Sequence, residues 1–141
     1  MTKTGAQLPS ISVVLPYEKS YGDEAVQLYN MSGNVCQEWQ ALMLNDIMAV
    51  NDDGLWTYMK YCICVSRRNG KGEILAAREF DGIVNLGEKI CHTAHRSTTS
   101  HDAFNRLYTL LKKAGYEEHS RKRKEMPEKS FFASKQFGLE H

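Results

Sequence analysis

A glycine–lysine pair near the middle of the chain has the clearest potential for chemistry. Gly70–Lys71 follows an apolar run that ends at Val65, and a helical pattern begins near Glu73. Backbone N–H groups at such a strand-to-helix turn, together with a lysine, bind the phosphates of nucleotides. The spacing therefore predicts a phosphate-binding loop within Cys62–Glu73. An ordinary strand-to-helix turn with solvated basic residues is the alternative interpretation.

The loop departs from the general pattern Gly-x-x-x-x-Gly-Lys-[Ser/Thr] at two positions. Val65 stands in place of the first glycine, and Gly72 stands in place of the hydroxyl residue. Because that hydroxyl is the usual protein ligand of Mg²⁺, the metal would be held through water or by carboxylates elsewhere. Arg67 and Arg68 add charge that can bind phosphate oxygens bidentately.

Alternating strands and helices are needed to position this loop. Trp56 to Val65 reads as the first core strand, nearly continuously apolar in its second half, as in a buried parallel strand. Apolar periodicity, caps and glycine stops predict the remaining elements: helices over Glu24–Met31 (N-cap Asp23), residues 37–50, residues 71–80 and His101–Ala114 (capped by Ser97–Ser100), and a short strand over Lys89–Ala94. This order predicts an α/β fold with a parallel sheet flanked by helices.

Two terminal segments are ambiguous in the sequence. Ile11–Leu15 reads as an edge strand or an extended arm, and Ser130–Gln136 as a helical turn or a strand. The basic run Arg121–Lys124 is diluted by nearby glutamates, so a solvated surface segment is favoured over contact with a phosphate backbone.

The composition is that of a packed domain. The chain has 141 residues, 42% of them hydrophobic and 25% charged, with a net charge of +1, so no global charge indicates a nucleic-acid or membrane partner. It has no apolar run of the roughly 20 residues that would cross a bilayer. Cys62 and Cys64 are predicted to be buried thiols, which fits a reducing cytoplasm. Cys91, His92 and His95 lack a second ligand pair, so no metal site is predicted.

Ser66–Glu73, with arginines before Gly-Lys, resembles the deviant Walker A motif of tailed-bacteriophage terminase large subunits, the ATP-driven motors that package DNA into procapsids. The Trp-Gln pair in Cys36–Gln40 is similar to the adenine-recognition segment of that family. Ile90–His95, followed by a Ser/Thr-rich cap and a helix containing Phe104, resembles the second strand and helix of the family. The resemblance runs from roughly Gly22 to Gly115, and RecA-like helicases share much of the layout.

The resemblance implies a partial RecA-like P-loop NTPase fold. Residues 1–35 would be an N-terminal arm with a short helix, and residues 36–141 the N-terminal part of the ATPase domain, ending before the Walker B strand. It also implies ATP and Mg²⁺ as cofactors of the full-length protein, and double-stranded DNA, the portal and the small terminase subunit as its partners. The expected location is the cytoplasm of a bacterial host.

The same resemblance assigns roles to individual residues. Lys71 would contact the β- and γ-phosphates, and Arg67 or Arg68 would sense the γ-phosphate. Gln40 would read the adenine edge through its amide, while Trp39 has a competing interpretation as a core aromatic. The backbone from Arg68 to Gly72 would wrap the phosphates, so the expected nucleotide-binding set is completed by Ser66, Asn69, Gly70, Gly72 and Glu73.

An ATPase of this type also needs an acidic strand, in which one carboxylate orients Mg²⁺ and a glutamate polarises the attacking water. The sequence has no apolar strand ending in Asp-Glu, and Asp81 lies at the end of the loop's own helix. We therefore expect the chain alone to bind ATP weakly without turning it over. The alternatives are a helicase fragment or a non-enzymatic protein that binds nucleic acid or a partner. An incomplete parallel sheet would leave edges open, so self-association is also expected.

Overall fold

The computed structural model describes residues 5–116 and the pair Phe132–Ala133. Helices dominate this part of the chain, and short strands accompany them, so the fold is mixed α and β. In chain order the elements are β1 (Lys19–Ser20), α1 (Gly22–Met31), α2 (Glu38–Ile47), β2 (Ala49–Val50), α3 (Lys71–Val84), β3 (Ile90–Cys91), α4 (Ser97–Lys113) and β4 (Phe132–Ala133).

The described strands form two antiparallel pairs. In the first, β1 pairs with β2 so that Lys19 faces Val50. In the second, β3 pairs with β4 so that Ile90 faces Ala133. Within residues 5–116 and 132–133 no parallel pair occurs. Of the segment Ser130–Gln136, only Phe132–Ala133 is described, and it is a strand; the basic run Arg121–Lys124 lies outside the described residues.

The strand predicted over Trp56–Val65 is not formed. Trp56 makes an isolated antiparallel bridge to Val50, and the remainder is irregular. A buried parallel strand needs hydrogen-bonded neighbours, and no strand of the described chain pairs with residues 57–65. Exposure alternates from Tyr61 to Val65, which leaves the side chains of Cys62 and Cys64 exposed. The prediction that these two thiols are buried was therefore wrong.

The existence of the helices was predicted well because their apolar residues recur at helical spacing. The helix predicted over residues 37–50 is too long, however, since α2 ends at Ile47 and Ala49–Val50 forms β2. α1 begins one residue before the predicted N-cap Asp23, and α3 continues to Val84 beyond the predicted end near residue 80. α4 begins at Ser97, so Ser97–Ser100 forms its first turn rather than a cap outside it. The Arg96 carbonyl accepts hydrogen bonds from the backbone N–H groups of the residues at 99 and 100.

Helix α3 occupies the centre of the core, where it packs against α1, α2 and α4. Phe80 and Ile74 of α3 are fully buried, together with Leu44 of α2 and Met48, the residue that follows α2. Because three helices surround α3, its buried surface extends beyond one stripe and includes the acidic residue Asp81. Leu75 of the same helix, although apolar, is 41% exposed.

The N-terminal segment is an extended arm rather than an edge strand. Its Leu15 N–H donates to the Tyr58 hydroxyl at 2.5 Å, and that hydroxyl donates to the Leu15 carbonyl at 3.1 Å. The hydroxyls of Tyr17 and Tyr61 donate to the two carboxylate oxygens of Asp46 in α2, at 2.9 and 3.3 Å. Burial and the Asp46 carboxylate raise the pKa of both Tyr17 and Tyr61 to about 12. Both the arm and the segment after β2 are thereby fastened to α2.

No helix in the described part of the chain has the length and apolar character required to span a membrane.

Candidate functional site

The predicted phosphate loop lies on the surface and leads directly into α3. Ser66, Arg67, Arg68 and Asn69 are exposed, and so is Lys71, the first residue of the helix. Gly70 precedes the helix with φ 80°, and Arg68 has φ 65°. A positive φ at a non-glycine residue is a strained conformation of the kind found at ligand-binding loops. The start of the predicted loop helix at Lys71 is thus confirmed.

The Trp-Gln pair at the start of α2 lies beside the end of this loop. The Gln40 amide donates from Nε2 to the Gly70 carbonyl at 3.1 Å. A Cβ placed on Gly70 would lie 2.8 Å from Gln40 Nε2 and 3.9 Å from Cζ2 of Trp39. Two sequence segments that carried separate parts of the resemblance are therefore adjacent in space.

Gln40 uses its amide to hold the protein together at this point. Its Oε1 accepts a hydrogen bond from the backbone N–H of Gln37 at 2.9 Å, which closes a capping box at the start of α2. The side chain is buried, with 5% of its residue surface exposed. Reading an adenine edge would require its second N–H and second acceptor lone pair, or an exchange of partners.

Trp39 lies at the margin of the core, where it is partly buried and packs against the core cluster. Its indole N–H donates to the Gln37 side chain at 3.0 Å. The aromatic ring therefore contributes to packing and also lies next to the loop, so it fits both interpretations of Trp39.

Glu73 connects three helices at the first turn of α3. Its Oε1 pairs with the Arg106 guanidinium of α4 at 2.6 Å, and its Oε2 accepts a hydrogen bond from the Tyr29 hydroxyl of α1. Burial and the Glu73 carboxylate raise the pKa of Tyr29 well above its usual value. The backbone N–H of Glu73 donates to the Gly70 carbonyl at 3.0 Å. The predicted nucleotide-binding residue Glu73 is thus engaged by protein partners.

Gly72 has a neighbour that the sequence did not indicate. A Cβ at this position would lie 3.0 Å from the guanidinium nitrogen of Arg106, which is tighter than ordinary contact. Neither Tyr29 nor Arg106 was singled out from the sequence. No short-range pattern could have placed either of them at the loop, because both reach it through tertiary packing.

Positive charge is concentrated at the amino end of α3. Arg67, Arg68 and Lys71 come from the loop and the helix start, while the charge of Arg106, which reaches the same turn from α4, is compensated by its ion pair with Glu73. The N-terminus of a 14-residue helix adds partial positive charge and unpaired backbone N–H groups. Chemically, such an arrangement can bind an anion.

The downstream segment is held on the opposite half of α3. His92 Nδ1 lies 2.5 Å from Oε1 of the nearly buried Glu79. Asp81 is fully buried, its Oδ1 accepts a hydrogen bond from Asn85 at 2.6 Å, and burial raises the pKa of its carboxyl. Ten residues of helix separate Asp81 from Lys71, a rise of about 15 Å, so this carboxylate cannot serve the loop. Residues 5–116 contain no group of three side chains suited to holding a metal.

No known protein family, curated protein or solved structure matches this chain.

Proposed function

We propose that this chain is the ATP-binding portion of a terminase large subunit, the motor that couples ATP hydrolysis to translocation of viral DNA into a procapsid. The proposal rests on one observation: the Trp39–Gln40 pair contacts the Gly70–Lys71 loop at the start of α3. The resemblance assigns the adenine to the first segment and the phosphates to the second. Their contact supports a single nucleotide site built from both.

The residues present fit a triphosphate. The Lys71 ammonium and the arginines at 67 and 68 are exposed on the loop, where charge-assisted hydrogen bonds to phosphate oxygens would be strong. In this proposal Lys71 contacts the β- and γ-phosphates, and the backbone from Arg68 to Gly72 wraps them. One of the two arginines senses the γ-phosphate.

The same residues do not fit Mg²⁺. Gly72 offers no hydroxyl ligand, and the Glu73 carboxylate is paired with Arg106 and hydrogen-bonded to Tyr29. Mg²⁺ prefers oxygen ligands and usually one or two carboxylates together with the phosphates. In our proposal those carboxylates, and the glutamate that activates water, belong to other parts of the full-length protein. The chain itself then binds ATP but does not hydrolyse it.

The proposed RecA-like fold would complete the segment before the loop. Residues 61–65 alternate between half-buried and exposed side chains without a hydrogen-bonded partner strand in the described chain. Further strands of the full-length ATPase domain would pair with this segment and turn it into the central parallel strand that leads into the loop. Its exposed edge and the apolar side chains nearby, such as Met59, support the expectation that the isolated chain self-associates.

ATP binding by the purified chain tests the proposal directly. We expect a fluorescent ATP analogue to bind, and Lys71→Ala to weaken that binding by about 10-fold or more, since a charge-assisted contact contributes about 1.5–3 kcal/mol. Lys60→Ala, which removes an exposed lysine outside the loop, is the matched control and should bind as the unmodified chain does. ATP at about 100 times its dissociation constant should stabilise the fold by roughly 2.7 kcal/mol.

Two outcomes would contradict the proposal in different ways. If ATP gives no thermal shift and Lys71→Ala changes no binding property, the loop is an ordinary turn and a non-enzymatic binding protein is the better interpretation. If the purified chain hydrolyses ATP and Lys71→Ala abolishes the activity, the nucleotide site is real but the chain contains its own catalytic carboxylates.

A further inference from the structure

The residues that surround the first turn of α3 raise a question that the resemblance does not answer. Glu73 lies inside the predicted nucleotide-binding stretch, yet a carboxylate beside a triphosphate would repel it. In the structure this carboxylate forms an ion pair with Arg106 of α4 and accepts a hydrogen bond from the Tyr29 hydroxyl of α1. It therefore requires a role other than contact with the nucleotide.

We infer that Arg106 and Glu73 are positioning residues of the proposed nucleotide site, and that Gly72 is glycine to leave room for the Arg106 guanidinium. This inference rests on the proposed function. Arg106 acts through Glu73, whose carboxylate it pairs with at 2.6 Å, and Glu73 in turn donates its backbone N–H to the Gly70 carbonyl at 3.0 Å. The ion pair is therefore connected through a single residue, Glu73, to the loop proposed to bind the phosphates.

The hydrogen-bond geometry explains why this pair can orient the loop. The Gly70 carbonyl accepts two hydrogen bonds, one from the backbone of Glu73 and one from Gln40 of α2 at 3.1 Å. Tyr29, which is 3% exposed, fixes the second oxygen of the Glu73 carboxylate from α1. Helices α1, α2 and α4 thus all reach the same turn of α3, and a shift in any of them would move the loop.

The contact at position 72 gives a physical reason for the missing hydroxyl. A serine or threonine there would place its Cβ 3.0 Å from the Arg106 guanidinium, which would have to give way. The guanidinium nitrogen would have to shift by a few tenths of an ångström, and because the same nitrogen pairs with Glu73 at 2.6 Å, that shift would disturb the ion pair. The structure therefore assigns the departure from the Walker A pattern to packing between α3 and α4.

Substitution of Glu73 distinguishes two possible roles of its carboxylate, positioning of the loop and electrostatic repulsion of the phosphates, because they change the affinity for ATP in opposite directions. Glu73→Gln removes a negative charge next to the phosphates, so a field effect alone would tighten ATP binding. If the carboxylate positions the loop through Arg106, binding weakens, and we expect about fivefold, the scale of coupling between contacting residues. Glu18→Gln removes an exposed charge on the arm and should leave ATP binding unchanged.

Substitution of Arg106 provides the reciprocal test. We expect Arg106→Met to weaken ATP binding by a similar factor, Arg106→Lys to retain most of it, and Lys113→Met, at the other end of α4, to have no effect. The loss should be confined to ATP, with adenosine binding unchanged, because the loop holds the phosphates. General loosening of the fold would weaken both ligands equally. Far-UV circular dichroism identifies a temperature at which every variant is folded.

The crowding at Gly72 is tested without any nucleotide. Alanine in a helix is normally more favourable than glycine. In the Arg106→Ala background we therefore expect Gly72→Ala to raise the melting temperature, whereas in the presence of Arg106 the same change should lower it. Equal effects in the two backgrounds would show that the guanidinium does not restrict position 72.

The results also distinguish this inference from the proposed function. If the unmodified chain binds no ATP, both the proposed function and the positioning role are refuted. If it binds ATP and Glu73→Gln or Arg106→Met binds equally well or more tightly, the positioning role alone is refuted and the nucleotide site stands.

Discussion

Replacing Gly70 by alanine should be among the most damaging single changes near the loop. Gly70 has φ 80°, a left-handed conformation that costs an alanine about 1–2 kcal/mol. The added Cβ would also lie 2.8 Å from Nε2 of Gln40, a distance that real contacts essentially never show. The amide must then move away from the Gly70 carbonyl, which leaves a buried donor without its partner.

The two terms can be summed from the structure. Gln40 is only 5% exposed, so losing its hydrogen bond costs about 1–3 kcal/mol. Gly70→Ala should therefore destabilise the chain by about 2–5 kcal/mol in total. Urea unfolding followed by far-UV circular dichroism measures this difference, and the same preparations test whether the proposed ATP binding is lost with it.

Gly33 offers a matched control for the conformational term. It has φ 85°, but a Cβ there would meet no atom within 4 Å. Gly33→Ala should therefore cost only the conformational term of about 1–2 kcal/mol. In a Gln40→Ala background, Gly70→Ala should cost no more than Gly33→Ala. Equal costs for Gly70→Ala and Gly33→Ala in the unmodified chain would refute the idea that Gln40 holds the loop.

Three further predictions concern the core and its buried polar groups. Phe80→Ala should destabilise the chain by about 3–5 kcal/mol in urea unfolding, because the fully buried ring leaves a cavity at the centre of α3. Asp81→Asn should stabilise the chain relative to the unmodified protein, more at neutral pH than near pH 4, because the raised pKa makes the folded state bind its proton more tightly than the unfolded state. Spectrophotometric titration should find that Tyr17 and Tyr61 ionise near pH 12, and Asp46→Asn should lower both values.

Each of these predictions has a contrary result. Leu8→Ala, at a position 75% exposed, is the control for Phe80→Ala and should change stability little; similar costs at the two sites would contradict the assigned core. A stability difference for Asp81→Asn that does not vary with pH would show that the carboxyl titrates normally. Unchanged tyrosine titration in Asp46→Asn would show that the arm is not bound to α2 through this carboxylate.

The same linkage between pKa and stability predicts how the two tyrosines change the stability of the chain at high pH. Their pKa is raised in the folded state, so their protonated hydroxyls contribute stability that is fully present below about pH 10, the pKa of an unperturbed phenol. That contribution is lost as the pH rises toward 12, where the hydrogen bonds to Asp46 disappear. We therefore expect alkaline unfolding to begin in this window, and Tyr17→Phe to reduce its steepness.

The sequence was most informative where structure depends on local periodicity. The α3 helix could be placed at Lys71 because a glycine and a lysine precede apolar residues at helical spacing. The strand before it could not be judged in the same way. An apolar run predicts a strand only if neighbours exist to accept its hydrogen bonds, and periodicity in one segment carries no information about them.

The candidate site was predictable only in part, for a related reason. The loop residues are contiguous in sequence, so their types and order indicated phosphate binding directly. The contacts of Glu73 with Tyr29 and of Gln40 with Gly70 join residues 44 and 30 positions apart. They depend on how α1 and α2 pack against α3, which no local pattern encodes. Exposed polar residues such as Arg106 give no sequence signal at all of such a role.

These long-range contacts alter what the loop requires of the rest of the chain. A phosphate loop needs a rigid helix behind it and exposed cations in front of it. Here the rigidity comes from three helices that converge on one turn, through Gln40, Tyr29 and Arg106. The cations Arg67, Arg68 and Lys71 remain exposed at the same end of α3. The loop's supports therefore lie within residues 29–106, and we expect the proposed anion site to form without the strands that a complete parallel sheet would add.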